Sequence, residues 1–188
     1  MTEEIIIAGF GGQGVLSMGK ILAYAGMMQN KEVSWMPSYG PEMRGGTANV
    51  TVILSDERIS SPILNKFDTA IILNQQSLDK FENSVKKGGI MIYDPSGITS
   101  HPTRTDINIY TVEAADEAAK QNFKKGFNMY ILGAFLKLKP VIEPAFMRKG
   151  LEKSLPSRHH HLIPENEKAI ERGKEILKAK YIISTPLN

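Results

Sequence analysis

The chain has no cysteine among its 188 residues. That excludes disulfides, thiolate nucleophiles, cysteine-bound zinc and cysteine-bound iron–sulfur clusters in one step. Any electron transfer it serves must run through a centre on another chain or through a bound organic cofactor. A charge field of one sign is also missing: 23 basic residues stand against 20 acidic ones, a formal net charge of +3. So weak and interspersed a balance implies neither nucleic acid nor a membrane surface as partner. No apolar run reaches the roughly 18 residues of a membrane span. Met1-Thr2-Glu3-Glu4 lacks the positive flank of a signal peptide, so a cytoplasmic location is expected. No Gly-x-Ser-x-Gly, no Walker lysine motif and no His-Glu-x-x-His occurs. Nor does a Gly-Asp-Gly segment with a downstream Asn pair, the usual mark of thiamine diphosphate binding. No residue is therefore assigned a catalytic role.

What is present suits one domain over residues 1–188 with a substantial core, at 41% hydrophobic content. Apolar runs place strands at Glu4–Ala8, Val33–Met36, Ala48–Leu54, Thr69–Leu73, Gly89–Tyr93 and Ile107–Val112. Helical spacing marks Gly14–Gln29, Ser77–Lys86, Ala114–Gln121, Phe127–Lys137, Pro144–Lys153 and Pro164–Lys180. The opening elements begin a βαβ pattern. Ala48–Leu54 then runs through Ser55-Asp56-Glu57 into Arg58-Ile59-Ser60-Ser61-Pro62, which reads as a hairpin and predicts a mixed sheet. Asn74, Gln76 and Ser77 offer caps for the second helix, and Lys86-Lys87-Gly88-Gly89 offers its stop. Pro164 suits a first helical turn. The fold expected is a three-layer, Rossmann-like α/β domain with a mixed, mostly parallel sheet.

The most informative stretch is Gly9-Phe10-Gly11-Gly12-Gln13-Gly14, between the apolar run Ile5–Ala8 and a helical segment. Strand, glycine-rich turn and helix in that order can bring backbone N–H groups and a helix N-terminus against an anion. Gly9, Gly11 and Gly14 satisfy Gly-x-Gly-x-x-Gly. A dinucleotide site also wants an acid closing the second strand, about 20 residues on, to hold the ribose. Here that strand leads into Pro37-Ser38-Tyr39, and Glu32 lies at its wrong end. A plain tight turn does not explain the extra pair Gly12-Gln13, and the Gln13 amide suits a polar ligand or a neighbouring loop. The candidate binding residues of this turn are Gly9, Gly11, Gly12, Gln13 and Gly14.

A second loop, Pro37 to Gly46, follows the second strand and should lie on the same edge. Pro37 and Pro41 stiffen it, and Gly40, Gly45 and Gly46 widen its backbone choices. Arg44, between glycine-rich flanks, can present a planar fork to a carboxylate or phosphate, or pair with Glu42 and only shape the loop. The candidate residues for substrate or an anionic cofactor here are Ser38, Tyr39, Gly40, Glu42, Arg44 and Gly45. His159-His160-His161 sits in the loop-like stretch Leu155–Pro164. Consecutive histidines do not converge on one side of a regular element, so no metal site is assigned to them.

Together the two motifs resemble the gamma subunit of 2-oxoacid:ferredoxin (acceptor) oxidoreductases. Two further segments match that family: Asn128-Met129-Tyr130-Ile131-Leu132-Gly133-Ala134, and Asn166 to Gly173. The resemblance spans residues 4 to about 175. The form Ser38-Tyr39-Gly40-Pro41-Glu42-Met43-Arg44 is more similar to the 2-oxoglutarate branch than to the pyruvate branch, where Phe and Arg tend to replace Tyr39 and Met43. The resemblance implies CoA-acylating oxidative decarboxylation of a 2-oxoacid, with electrons leaving to ferredoxin or a similar acceptor. It implies a complex using thiamine diphosphate with magnesium, iron–sulfur clusters and coenzyme A, none of the cofactors being bound by this chain alone. The implied partners are alpha and beta (thiamine-binding) subunits, with a small ferredoxin-like delta subunit as an optional member. Two other readings stay open: a self-contained dinucleotide-binding reductase, and a non-catalytic assembly subunit whose glycine loops serve only protein contacts.

Overall fold

The computed structural model describes residues 1–39 and 47–179. Gly40, Glu42, Arg44 and Gly45 of the second candidate loop lie outside the described residues. The strands are β1 (Thr2–Phe10), β2 (Glu32–Tyr39), β3 (Thr47–Ser55), β4 (Phe67–Ile72), β5 (Val85–Tyr93), β6 (Asn108–Thr111) and β7 (Lys178–Ala179). The helices are α1 (Val15–Met28), α2 (Gln75–Phe81), α3 (Ala114–Lys120), α4 (Phe127–Leu138), α5 (Pro144–Ser154) and α6 (Ile163–Ile176). They form one sheet in the order β2-β3-β1-β4-β5-β6-β7. Neighbours β1, β4, β5 and β6 run parallel, while β3 opposes both β1 and β2, and β7 opposes β6. The sheet is thus mixed with a parallel centre, as the sequence predicts.

Alternation along the strands sorts the core into two faces. Ile5, Ile7, Val52, Ile71 and Ile92 point to the side covered by α1, α3, α4, α5 and α6. Ile6, Ala8, Ala70, Ile72, Met91 and Tyr93 point to the other, where Leu78 of α2 and the chain around Ile98 and Ile107 cover them. Helices on both faces of a central sheet make the three layers.

Three local expectations are corrected. The antiparallel partner of Ala48–Leu54 is not Arg58–Pro62, which forms no strand; β3 instead pairs with β2 on one side and β1 on the other. Arg58, Ser60 and Ser61 with the closing Pro62 leave only Ile59, half-buried, to build an apolar strand face. The second helix ends at Phe81 rather than Lys86. Val85 is buried and opposite Phe67, and Lys86 bonds Glu4 at 2.5 Å and Asp68 at 2.7 Å, so tertiary pairing claims these residues for β5. The last helix ends at Ile176, because Lys178 and Ala179 pair with Thr111 and Tyr110. The three histidines lie in a short 3-10 helix, Ser157–Leu162, where the His159 N–H donates to the Pro156 carbonyl at 2.8 Å.

Candidate functional site

The carboxyl ends of four strands and the start of a fifth meet along one edge of the sheet. Phe10 lies opposite Thr47 and Tyr39 opposite Ala48, so the end of β1, the end of β2 and the start of β3 are level. On the other side Ala8 is level with Ile72, and Ile72 with Tyr93. The rim therefore holds the glycine turn, both roots of the 40–46 loop, and the segments that leave β4 and β5. Ser38 is exposed there, and the backbone of Tyr39 closes β2.

The turn itself is built by its own sequence. Gly12 (φ 96°) and Gly14 (φ 76°) occupy the left-handed region that favours glycine. Gly9 is buried within β1, whereas Gly11 and Gly12 are exposed at the crest. The Gln13 side chain ties the crest down. Its Oε1 accepts from the Phe10 N–H at 2.6 Å, and its Nε2 donates to the Leu73 carbonyl at 3.2 Å. The amide thus links the end of β1 to the end of β4 within this chain.

Gly14 caps α1, no side chain caps the helix, and its first turn carries no acid. The first N–H groups and the positive end of the helix dipole are left for an anion at the rim. Asn128, buried in the first turn of α4, stands against Gly14 from behind. It was visible in the sequence only as part of the α4 motif; the signal for its role is a lone amide opening an otherwise apolar helix.

The far half of the rim is fixed by buried polar groups. Asn74 caps α2, accepting from the Ser77 N–H at 2.8 Å, while its Nδ2 and the Ser77 hydroxyl have no partner among the described residues. The buried Asp94 carboxylate accepts from Ser96 N–H and Ala115 N–H, both at 2.8 Å, and so orders the chain after β5 and the start of α3. Gln75 Oε1 accepts from Thr99 and Ser100 N–H groups at 2.9 and 2.8 Å. Burial pushes the Tyr93 hydroxyl above its ordinary pKa.

Chemically, the described part of the rim offers backbone donors and helix polarity, together with one hydroxyl–imidazole contact between Tyr93 Oη and His101 Nδ1 at 3.4 Å. Among the described residues no group of three His, Asp or Glu side chains converges to hold a metal ion. With no cysteine either, the chain has no ligand set that fits an iron–sulfur cluster. Glu32 opens β2 opposite Ser55, at the edge away from the rim, and cannot serve as the ribose-binding acid of a dinucleotide site. Moreover, β3 stands between β1 and β2, so the first crossover skips a strand. Among the described residues no helix is long and apolar enough to cross a membrane.

The family described as pyruvate ferredoxin/flavodoxin oxidoreductase matches residues 4–176. The chain belongs to that family. Subunit VorA of the ketoisovalerate oxidoreductase of Methanothermobacter thermautotrophicus is 36% identical over 173 residues, which cover 92% of this chain and 36% of VorA. The chain thus spans about a third of VorA's length. Subunit KorC of the 2-oxoglutarate synthase of Methanocaldococcus jannaschii is 33% identical over 181 residues, covering 95% of both chains. The crystal structure of the gamma subunit of a keto/oxoacid ferredoxin oxidoreductase from Geobacter sulfurreducens superposes with a TM-score of 0.79 at 28% identity, over 94% of this chain and 96% of that one. These likenesses bear out the resemblance to the gamma subunits of 2-oxoacid:ferredoxin oxidoreductases that the motifs carry.

Proposed function

We propose that this chain is the gamma-type subunit of a multi-subunit 2-oxoacid:ferredoxin or acceptor oxidoreductase, with 2-oxoglutarate as the oxoacid. Its part is to complete the active-site cleft; alpha and beta subunits bring the reacting groups. The single observation that supports this most is the rim register: Phe10 level with Thr47 and Tyr39 level with Ala48 bring the glycine turn and the roots of the Arg44 loop to one edge. In the complex, thiamine diphosphate supplies the electron sink and iron–sulfur clusters the exit for electrons, both held by partner chains. This chain's own contribution is electrostatic and positional. The uncapped start of α1 and the exposed backbone of Gly11 and Gly12 face an anionic group, and Arg44 adds a charge-assisted contact to coenzyme A or to a partner loop. The edge strand β2, with the exposed Trp35 and Met36, supports contact with a neighbouring subunit.

The test is Arg44→Ala in the reconstituted complex. The proposal expects normal assembly, with KM for coenzyme A raised about tenfold, the equivalent of one charge-assisted hydrogen bond. Unchanged coenzyme A dependence with unchanged assembly removes Arg44 from the cleft. Assembly lost with the variant favours the reading of a purely structural subunit. Parallel assays with 2-oxoglutarate, pyruvate and 2-oxoisovalerate decide the oxoacid, the last because of the likeness to VorA.

A further inference from the structure

A recess of about 970 Å³ opens between the end of α3, the start of α4 and the outer face of α6, and no residue of the glycine turn lines it. A volume of that size suits a small organic molecule. Its walls carry Lys124, Lys125, Arg158, Lys168 and Arg172 against one carboxylate, Glu165. Lys124, Lys125 and Lys168 form no ion pair with any described residue. Arg172 is partly neutralised, because it bonds Glu117 at 2.8 Å and Glu175 at 2.7 Å. The excess positive charge of the whole chain is only +3, so this concentration is local, not a property of the surface at large.

The floor adds a second, independent observation. Tyr130 lines the recess from α4 with its ring buried, and its hydroxyl makes no hydrogen bond to a described residue. An acceptor arriving from the recess can take a hydrogen bond from that hydroxyl. Beside it the half-buried Phe123 ring and the paired rings of His159 and His161, 6.5 Å apart, offer flat surface. Cations at the mouth, a hydroxyl donor on the floor and aromatic walls together describe a site for phosphates joined to a planar ring.

We propose that this recess binds a phosphate-bearing small molecule of nucleotide size, at a site separate from the glycine-turn rim. The phosphates meet Lys124, Lys168 and Arg172 at the mouth, the ring lies against Phe123, and Tyr130 donates its hydroxyl to an acceptor on the ligand. The claim stands apart from the subunit assignment above, and its failure would leave that assignment untouched.

The experiment is calorimetric titration of the full chain with ADP and with inorganic pyrophosphate. Saturable ADP binding at one per chain is expected, with pyrophosphate about tenfold weaker for want of a ring. Lys124→Glu combined with Lys168→Glu, both exposed positions, should weaken ADP at least about tenfold. Tyr130→Phe keeps the ring in its packing and should weaken ADP about threefold to tenfold while the unfolding midpoint holds. No ADP binding at millimolar concentration overturns the proposal. So does equal binding of pyrophosphate and ADP, which denies the ring its place. Binding that survives the charge reversals but falls with Gln13→Ala would move the ligand to the glycine turn. Failure to bind ADP together with loss of subunit assembly in the charge-reversed variant would make the recess a seat for an acidic polypeptide instead.

Discussion

The Asn128 side chain stands directly over the α-carbon of Gly14. A β-carbon built on Gly14 would collide with the Asn128 amide, whose Nδ2 donates to the Gly14 carbonyl at 3.4 Å. The same residue holds φ 76° and begins α1. Gly14→Ala thus meets two independent penalties: the left-handed backbone costs about 1–2 kcal/mol, and the collision adds to it. Pairing it with Asn128→Ala relieves most of the second, leaving only the β-carbon of residue 128 at 3.0 Å. The double variant should unfold at a midpoint between Gly14→Ala and the wild type in urea, and a full return to wild type would show that the backbone conformation is not constraining.

Gln13 ties two strand ends, so its removal should loosen the rim more than the fold. Gln13→Ala loses both bonds, to Phe10 N–H and to the Leu73 carbonyl, at about 1–2 kcal/mol. Gln13→Glu keeps the acceptor for Phe10 but sets a carboxylate oxygen against the Leu73 carbonyl, and should be no better tolerated at neutral pH. Amide exchange at Phe10 reports the first effect directly. Protection there unchanged in Gln13→Ala would mean that the turn is held by its glycines alone.

The elements were legible wherever apolar periodicity was long and uninterrupted, as in Ile5–Ala8, Val15–Leu22 and Asn128–Leu136. They were misread where a tertiary partner outweighed local preference. Lys86 sits in a segment that local pattern continues as helix, yet its two carboxylate partners come from β1 and β4, far away in sequence. Arg58–Pro62 had the turn chemistry of a hairpin but a single apolar strand former, the half-buried Ile59. At the rim, the glycines and Gln13 declared a special turn, while the destination of the Gln13 amide, the Leu73 carbonyl, depends on strand order that no local pattern encodes. The recess around Tyr130 was invisible for the same reason: its cations come from three separate segments and become neighbours only when α6 crosses α4.

The pair Glu117–Arg172 should give stability a pH signature. The Arg172 guanidinium, 2.8 Å away, holds the Glu117 carboxyl below the ordinary carboxylate range, with Gln121 assisting and burial opposing. A carboxyl whose folded pKa is lowered stabilises the fold fully above its unfolded value, about 4.3, and less as pH falls through the folded value. Arg172→Met should therefore lower the unfolding midpoint by a few degrees at pH 7, and the gap from wild type should close in acid. A gap of constant size from neutral to strongly acid pH would assign the loss to packing, not to charge.

The crossing of α4 and α6 is set by two glycines, each facing the backbone of the opposite helix. A β-carbon on Gly133 would run into the Ile170 carbonyl, and one on Gly173 into the Tyr130 carbonyl. Neither obstacle is a side-chain tip that can swing aside, so the helices themselves would have to part. Forcing a methyl into such a contact costs about 1–3 kcal/mol, and with rigid backbone on the far side the upper end of that range outweighs the roughly 1 kcal/mol that Ala's better helix propensity returns. Gly133→Ala and Gly173→Ala should each lower the denaturation midpoint despite being helix-favouring changes. Because the parted helices carry Tyr130 and Arg172 away from each other, ADP binding in the recess should weaken in both variants alongside stability. Either variant proving more stable than wild type would show that the two helices do not pack at this distance in solution.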